Sequence, residues 1–222
     1  MENYLQFAET TVDADNTAEV SAKYNDGYLF TRKAKGNMYQ TRSLRLKLAG
    51  FEFNSENRRV LRKFPVIEVR ELSLPIVRED YDWKIHKMGK HFYEKKFGKG
   101  IFSAAKIKTL LTDKEKSNFN LLLRYSLPDG IAGYAIAYLS SDVFHYAYPF
   151  YEFEKYPSNF GMAMMIRAIL IAQKSGCSYA YLGSVRSDKD LYKLQFEGLE
   201  WFDGAAWQTS LEELKRTVRQ TI

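Results

Sequence analysis

The residue types best suited to chemistry lie late in the chain, just past a polar loop. Tyr192 and Lys193 stand side by side there, and Glu200 follows at near-helical spacing. A phenol can donate a hydrogen bond to a developing oxyanion, an ammonium can hold a phosphate, and a buried carboxylate of raised pKa can take a proton from an amine. We therefore predict catalytic roles for Tyr192, Lys193 and Glu200. The alternative is an amphipathic helix that turns Leu191 and Leu194 inward and leaves the polar side chains in solvent.

His145 is a second candidate base, in the aromatic run FHYAYPFY of residues 144–151. Histidine can act as a general base near neutral pH, but a lone histidine in a β-run is more often a core or edge residue, so both interpretations stay open. The histidines and the single Cys177 show no metal-ligand spacing. We expect no metal, and no cofactor apart from the substrates.

Three elements must position these groups: a helix, a strand and the polar loop. An apolar helix is predicted from Ser158 to Lys174, and a β-rich run over 179–182 stops at Gly183. Backbone N–H groups at the start of a helix attract anions. The predicted substrate-binding residues are Asn159, Phe160, Gly161, Tyr181, Gly183 and Ser184. The alternative for Gly161 is an ordinary capped helix in which the missing side chain permits close packing.

Positive charge is concentrated in the first half of the chain. The net charge is +6, yet residues 32–63 carry ten Lys or Arg against two Glu, a local +8, and residues 84–108 carry eight lysines against one Glu, a local +7. Such clusters gain affinity for phosphates by releasing counterions, and guanidinium forks suit phosphate well. We predict nucleic-acid contacts from Arg42, Arg45, Arg58, Arg59, Arg62 and Lys63. The alternative is a solvated basic surface.

The element pattern predicts a mixed α+β fold. Strands over 120–126, 131–139 and 143–150 precede the long helix and a fourth strand, with a Pro-Asp-Gly hairpin turn between the first two. This β-β-β-α-β order resembles the fold of the GCN5-related acetyltransferases (GNAT), a mixed central sheet flanked by helices. We predict a smaller basic α+β part over residues 1–75 and a GNAT-like acyltransferase domain over 76–222.

Composition excludes several classes of protein. No window approaches the roughly 18–20 apolar residues of a membrane span, and the polar, acidic N-terminal segment lacks the features of a secretory signal. A single cysteine excludes an intrachain disulfide and a cysteine-ligated metal site. We expect a soluble, cytoplasmic protein with no membrane partner.

Several short motifs resemble the aminoacyl-tRNA–protein transferases of the arginyl and bacterial leucyl type. The resembling segments are Tyr181-Leu182-Gly183, Tyr192-Lys193-Leu194-Gln195-Phe196 with Glu200, Trp207, Asn159-Phe160-Gly161, and the basic stretch from Arg45 to Val60. Their order covers most of the chain. The family's cysteine-rich N-terminal signature is absent, since residues 39–43 read YQTRS. Tyr148 stands where the family has Asp before proline, and we predict that it contacts substrate.

The resemblance implies a GNAT-like enzyme that moves an amino acid from aminoacyl-tRNA to an amino group of an acceptor protein or peptide. In that interpretation the early arginines hold tRNA phosphates and the later cleft holds the aminoacyl adenosine. Two alternatives remain: an N-acetyltransferase that uses acetyl-CoA, and an inactive RNA-binding relative. The amino acid, the acceptor and the oligomeric state are not predicted.

Overall fold

A computed structural model of the 222-residue chain describes residues 5–156 and 159–220. The early elements are β1 (Ala8–Thr11), α1 (Thr17–Asn25), β2 (Tyr28–Phe30), β3 (Asn37–Gln40), β4 (Ser43–Lys47), α2 (Ser55–Lys63), β5 (Glu68–Ser73), α3 (Lys84–Phe97) and α4 (Ala104–Thr112). The later ones are β6 (Leu121–Leu127), β7 (Gly130–Leu139), β8 (Val143–Tyr151), α5 (Phe160–Lys174), β9 (Tyr179–Ser184), β10 (Leu199–Phe202), β11 (Trp207–Gln208) and α6 (Leu211–Gln220). Two short 3₁₀ helices cover Lys114–Lys116 and Asp188–Gln195, and the second is called the 3₁₀ segment below.

The strands form two sheets. Eight of them follow the order β11-β10-β4-β9-β8-β7-β6-β5, and a small sheet has the order β1-β3-β2. All neighbours in the large sheet are antiparallel except β8 and β9, which are parallel. The predicted mixed α+β class, with helices flanking a mixed central sheet, is confirmed. Because β4 and β5 precede residue 76 and belong to this sheet, the sheet crosses the predicted domain boundary.

Most of the predicted elements are present, with corrected ends. The cap of α2 is the side chain of Asn54, which accepts from the N–H of Asn57, and Ser55 is the first helical residue. The last helix is capped by Ser210, whose hydroxyl oxygen accepts from the N–H of Glu213 at 3.3 Å. Ser158, the predicted start of α5, lies outside the described residues. Glu200 is not on a helix with Lys193, because the 3₁₀ segment ends at Gln195 and Glu200 belongs to β10.

The parallel strands β8 and β9 part soon after they begin to pair. Their ladder covers only the pairs from Val143–Tyr179 to His145–Tyr181, although β8 continues to residue 151 and β9 to residue 184. An extra residue, Ala147, interrupts the pairing of β8 with β7 just beyond this point. A second irregularity interrupts the pairing of β9 with β4 beside Gly183. Bulges bend strands and strengthen their twist, so both strands turn where they separate.

Helix α2 lies antiparallel along α5. At one end the amide of Gln173, near the end of α5, donates to the carbonyl of Phe51 at 3.1 Å. At the other end the rings of Phe64 and Phe160 are 5.3 Å apart. At the start of α2, the side-chain amide of the capping residue Asn54 donates to the carbonyl of Gln195 at 2.6 Å. Helix α2 therefore contacts both the 3₁₀ segment and the first residue of α5.

The bulge in β9 generates a prediction about stability. Gly183 has a φ of +82°, a backbone conformation that costs an L-residue about 1–2 kcal/mol. Gly183→Ala should therefore lower the free energy of unfolding by about that amount, measured by urea denaturation. Ser184→Ala, one residue on and without a positive φ, is the matched control and should change it by less than about 0.5 kcal/mol. An equal loss in both variants would contradict this account of the bulge.

Candidate active site

The gap between the parted strands is closed on one side by the 3₁₀ segment. Lys193 lies here, with Nζ 2.9 Å from the carbonyl oxygen of Ser184 and 3.3 Å from Oδ1 of Asp190. Both charged side chains are mostly buried, at 12% and 14% exposed. Burial raises the pKa of Asp190, but the charge of Lys193 and the N–H of Arg186 outweigh it, so the pKa is lowered. The lysine is thus held at the end of β9 beside Gly183, the residue of the bulge.

Tyr192 reaches over the separated part of β8. Its side chain is exposed, and its phenol is close enough to Tyr146 and Tyr151 of β8 to add to the effect of burial in raising their pKa values. Lys96, at the end of α3, places Nζ 5.5 Å from the centre of the Tyr192 ring. Strand β8, the 3₁₀ segment and α3 therefore meet around Tyr192, where β8 and β9 have parted, and we call this place the cleft.

The sequence prediction placed Tyr192, Lys193, Gly183 and Ser184 together, and the structure does bring them together at the cleft. The sequence prediction did not include Asp190 or Lys96. A signal existed for each: Asp190 lies three residues before Lys193, one 3₁₀ turn away, and Lys96 follows the apolar Phe92 at helical spacing.

Arg45 and Glu200 form an ion pair with each other. Nε of Arg45 lies 2.6 Å from Oε2 of Glu200, and the guanidinium stacks on the rings of Tyr179 and Trp207 at 4.1 and 4.0 Å. The arginine is 11% exposed and the glutamate 21%. This ion pair joins β4 to β10. It favours a structural role for both side chains over the predicted phosphate contact of Arg45 and the predicted proton transfer by Glu200.

His145 lies in the core, one of the two interpretations that the sequence left open. It is 3% exposed, and its Nδ1 is 2.9 Å from the phenol oxygen of Tyr24. Burial, with a smaller contribution from Lys193, lowers its pKa from 6.5 to about 3. A neutral, hydrogen-bonded imidazole of so low a pKa is a weak base, so these facts favour the core interpretation.

Tyr181 and Tyr148 pack against other aromatic rings. Tyr181 is fully buried and donates to Oδ1 of Asn25 at 3.3 Å, and burial raises its pKa to about 12. The half-buried Tyr148 lies 5.2 Å from Phe102 and 5.3 Å from Phe119, measured between ring centres. Substrate contact by these two tyrosines remains a prediction.

The start of α5 is crowded with rings. Phe160 is fully buried, and Asn159 makes no capping hydrogen bond through its side chain. A Cβ built on Gly161 would lie 3.2 Å from the ring of Tyr151. Tyr151 therefore fills the space that this glycine leaves, which favours the packing interpretation over an anion cradle at this position.

The remaining predicted cations divide into two groups. Arg42 is 5% exposed, its carbonyl accepts from the N–H of Val185, and none of the described residues accepts a hydrogen bond from its Nη1. The exposed group lies on α2 and comprises Arg58, Arg59, Arg62 and Lys63. Within it, Arg58 donates to the carbonyl of Phe53 and Arg59 pairs with Glu56. Of the predicted cations, only this second group forms an exposed basic surface, on a helix that contacts the 3₁₀ segment and the first residue of α5.

Comparisons with known proteins identify the fold. No protein-family model and no curated protein matches the chain. L-PGS from Bacillus licheniformis superposes with a TM-score of 0.53 at 12% identity, over 92% of this chain and 70% of that one. FemX superposes with a TM-score of 0.51 at 10% identity, over 95% of this chain and 73% of that one. At such low identity these matches show a shared fold and nothing more. No helix among the described residues has the length and apolar character needed to span a bilayer.

Buried His145 should make stability depend on pH. Its pKa is 6.5 when unfolded and about 3 when folded, so the unfolded chain binds the proton more readily between these values. Its contribution to stability is complete above pH 6.5 and is lost as pH falls, by about 1.4 kcal/mol per unit. Urea unfolding at pH 7, 6 and 5 should show this loss in the wild type and not in His145→Gln. His91→Gln, at an exposed site, should keep the wild-type slope, and parallel curves for all three proteins would contradict the assignment.

Proposed function

We propose that the protein transfers an aminoacyl group from aminoacyl-tRNA to an amino group of a protein or peptide in the cytoplasm. The observation that carries the proposal is the position of α2. This basic helix contacts the 3₁₀ segment through Asn54 and the start of α5 through Phe64, so it lies beside the cleft. A polyanionic carrier held on α2 would have its end within reach of Lys193 and Tyr192.

The exposed face of α2 suits RNA phosphates. Arg58, Arg62 and Lys63 are exposed, and no carboxylate among the described residues forms an ion pair with any of them. Guanidinium groups bind phosphate oxygens in a bidentate fashion, and each phosphate neutralised releases counterions. Affinity from this surface should therefore be strongly salt-dependent and independent of RNA sequence.

The cleft supplies what aminoacyl transfer requires. The ester is already activated, so catalysis consists mainly of positioning the amine and stabilising charge. Lys193 is fixed by Asp190 and the carbonyl of Ser184, and the exposed phenol of Tyr192 stands beside it. The amine nitrogen attacks the carbonyl carbon, the bond to the ribose oxygen breaks, and one proton passes from the nitrogen to that oxygen. The similarity of the motifs to the aminoacyl-tRNA–protein transferases agrees with this reaction.

An N-acetyltransferase that uses acetyl-CoA is the second candidate, because the GNAT-like fold is compatible with it. The crowding of Gly161 by Tyr151 weighs against a pyrophosphate at the start of α5. Thermal stabilisation by acetyl-CoA and not by tRNA would favour this candidate. Salt-dependent RNA binding without turnover would favour an inactive RNA-binding protein.

The proposal is tested with purified protein, labelled aminoacyl-tRNAs and candidate acceptor peptides. Arg58→Gln combined with Arg62→Gln should weaken tRNA binding about tenfold. The slope of log K against log salt should become shallower by about 1–2, because each lost phosphate contact reduces the steepness of that slope by about 0.9. Transfer at subsaturating tRNA should fall in parallel.

The matched control is Lys35→Gln combined with Lys116→Gln. Each of these lysines already pairs with a carboxylate, Lys35 with Asp15 at 2.9 Å and Lys116 with Asp113 at 3.1 Å, and neither belongs to α2. The control should bind tRNA as the wild type does. The proposal would be overturned if the wild type neither retained tRNA at low salt nor transferred an aminoacyl group to any acceptor.

A further inference from the structure

Lys96 lies in line with the buried face of α3. The helix buries Ile85, Gly89 and Phe92, and Lys96 continues this series at spacings of four, seven and eleven residues, which places all four on one helical face. Lys96 lies in the last turn of the helix, and its side chain is exposed, like that of Lys95.

Aromatic rings surround the ammonium of Lys96. Its Nζ lies 5.3 Å from the ring centre of Phe92, 5.4 Å from Phe97 and 5.5 Å from Tyr192. Ring faces attract a cation through their quadrupoles, and this attraction fixes the ammonium without using its N–H bonds. Across the described part of the chain, no side chain or carbonyl accepts a hydrogen bond from Nζ. Partial burial lowers the pKa of Lys96, repulsion from Lys193 adds to the effect, and attraction to Asp190 opposes it.

The two lysines at the cleft therefore differ in their free hydrogen-bonding capacity. Lys193 already donates to Ser184 and pairs with Asp190. Lys96 lies among ring faces and is attracted by the charge of Asp190, but no described residue accepts a hydrogen bond from its N–H donors. Donors that are fixed in place and unsatisfied are what stabilises charge that develops only in a transition state.

We propose that Lys96 is a catalytic residue, whose ammonium donates a hydrogen bond to the oxyanion formed on the ester carbonyl. This inference rests on the proposed function. When the amine nitrogen bonds to the carbonyl carbon, the π electrons move to the carbonyl oxygen, which then carries the negative charge. When the carbonyl re-forms, the bond to the ribose oxygen breaks and that oxygen takes the proton lost by the nitrogen. Lys96 forms no covalent bond and returns unchanged.

The first test measures kcat and KM for transfer. Lys96→Gln should lower kcat and kcat/KM alike, by about 10²–10³-fold, as expected when a transition-state donor is removed. Lys96→Arg, which keeps a charged donor, should recover at least tenfold of that loss. Lys95→Gln is the matched control, since Lys95 is the adjacent residue, is exposed and pairs with Glu154 at 3.1 Å. It should retain wild-type kcat, and thermal melting confirms that all three variants fold.

A second test uses binding alone. The probe is an aminoacyl-adenosine analogue in which a phosphonate replaces the ester carbonyl, compared with its neutral amide counterpart. Wild type and Lys95→Gln should bind the phosphonate at least tenfold more tightly than the amide, and Lys96→Gln should lose this preference. An unchanged kcat or an unchanged phosphonate preference in Lys96→Gln would overturn the role of Lys96 and leave the proposed function intact. Failure of the wild type to bind tRNA and both analogues would overturn the proposed function, and with it the assignment of Lys96.

Discussion

The whole site depends on the separation of two parallel strands. Neighbouring strands normally keep their hydrogen-bond ladder, since an unpaired backbone group costs free energy when it is buried. Here the ladder of β8 and β9 ends at His145 and Tyr181. Irregular pairing at Ala147 and at Gly183 turns each strand toward its other neighbour, so the pairing lost on one side continues on the other. The cleft is thus a product of the sheet itself.

The surrounding elements place positive charge of different kinds around this opening. Lys193 is neutralised by Asp190, Lys96 is held by rings, and the arginines of α2 face solvent. Arg45 belongs to none of these groups, because its pairing with Glu200 fixes β4 to β10. Charge density along a sequence therefore overstates the cations that a ligand can reach, and burial decides which of them remain.

Much of the fold could be predicted from local patterns. The strands β6, β7 and β8, the helix α5 and the mixed α+β class follow from periodicity and one hairpin turn. Short strands such as β1 and β3 have no such local pattern, because their structure depends on their pairing with each other. The Arg45–Glu200 contact joins residues 155 positions apart, which no local pattern reveals. Lys96 was hidden for a different reason, because it is exposed like its lysine neighbours and differs from them only in following Phe92 on the same helical face.

One feature of the sheet bears on how the chain reaches its native state. Strand β4 lies between β9 and β10, both of which are synthesised long after it. Until they emerge from the ribosome, β4 has two open edges, the condition that invites pairing with foreign strands. Closing such long loops is also slow compared with forming hairpins or helices. The early basic segment therefore gains its place in the sheet only after β9 and β10 have been synthesised.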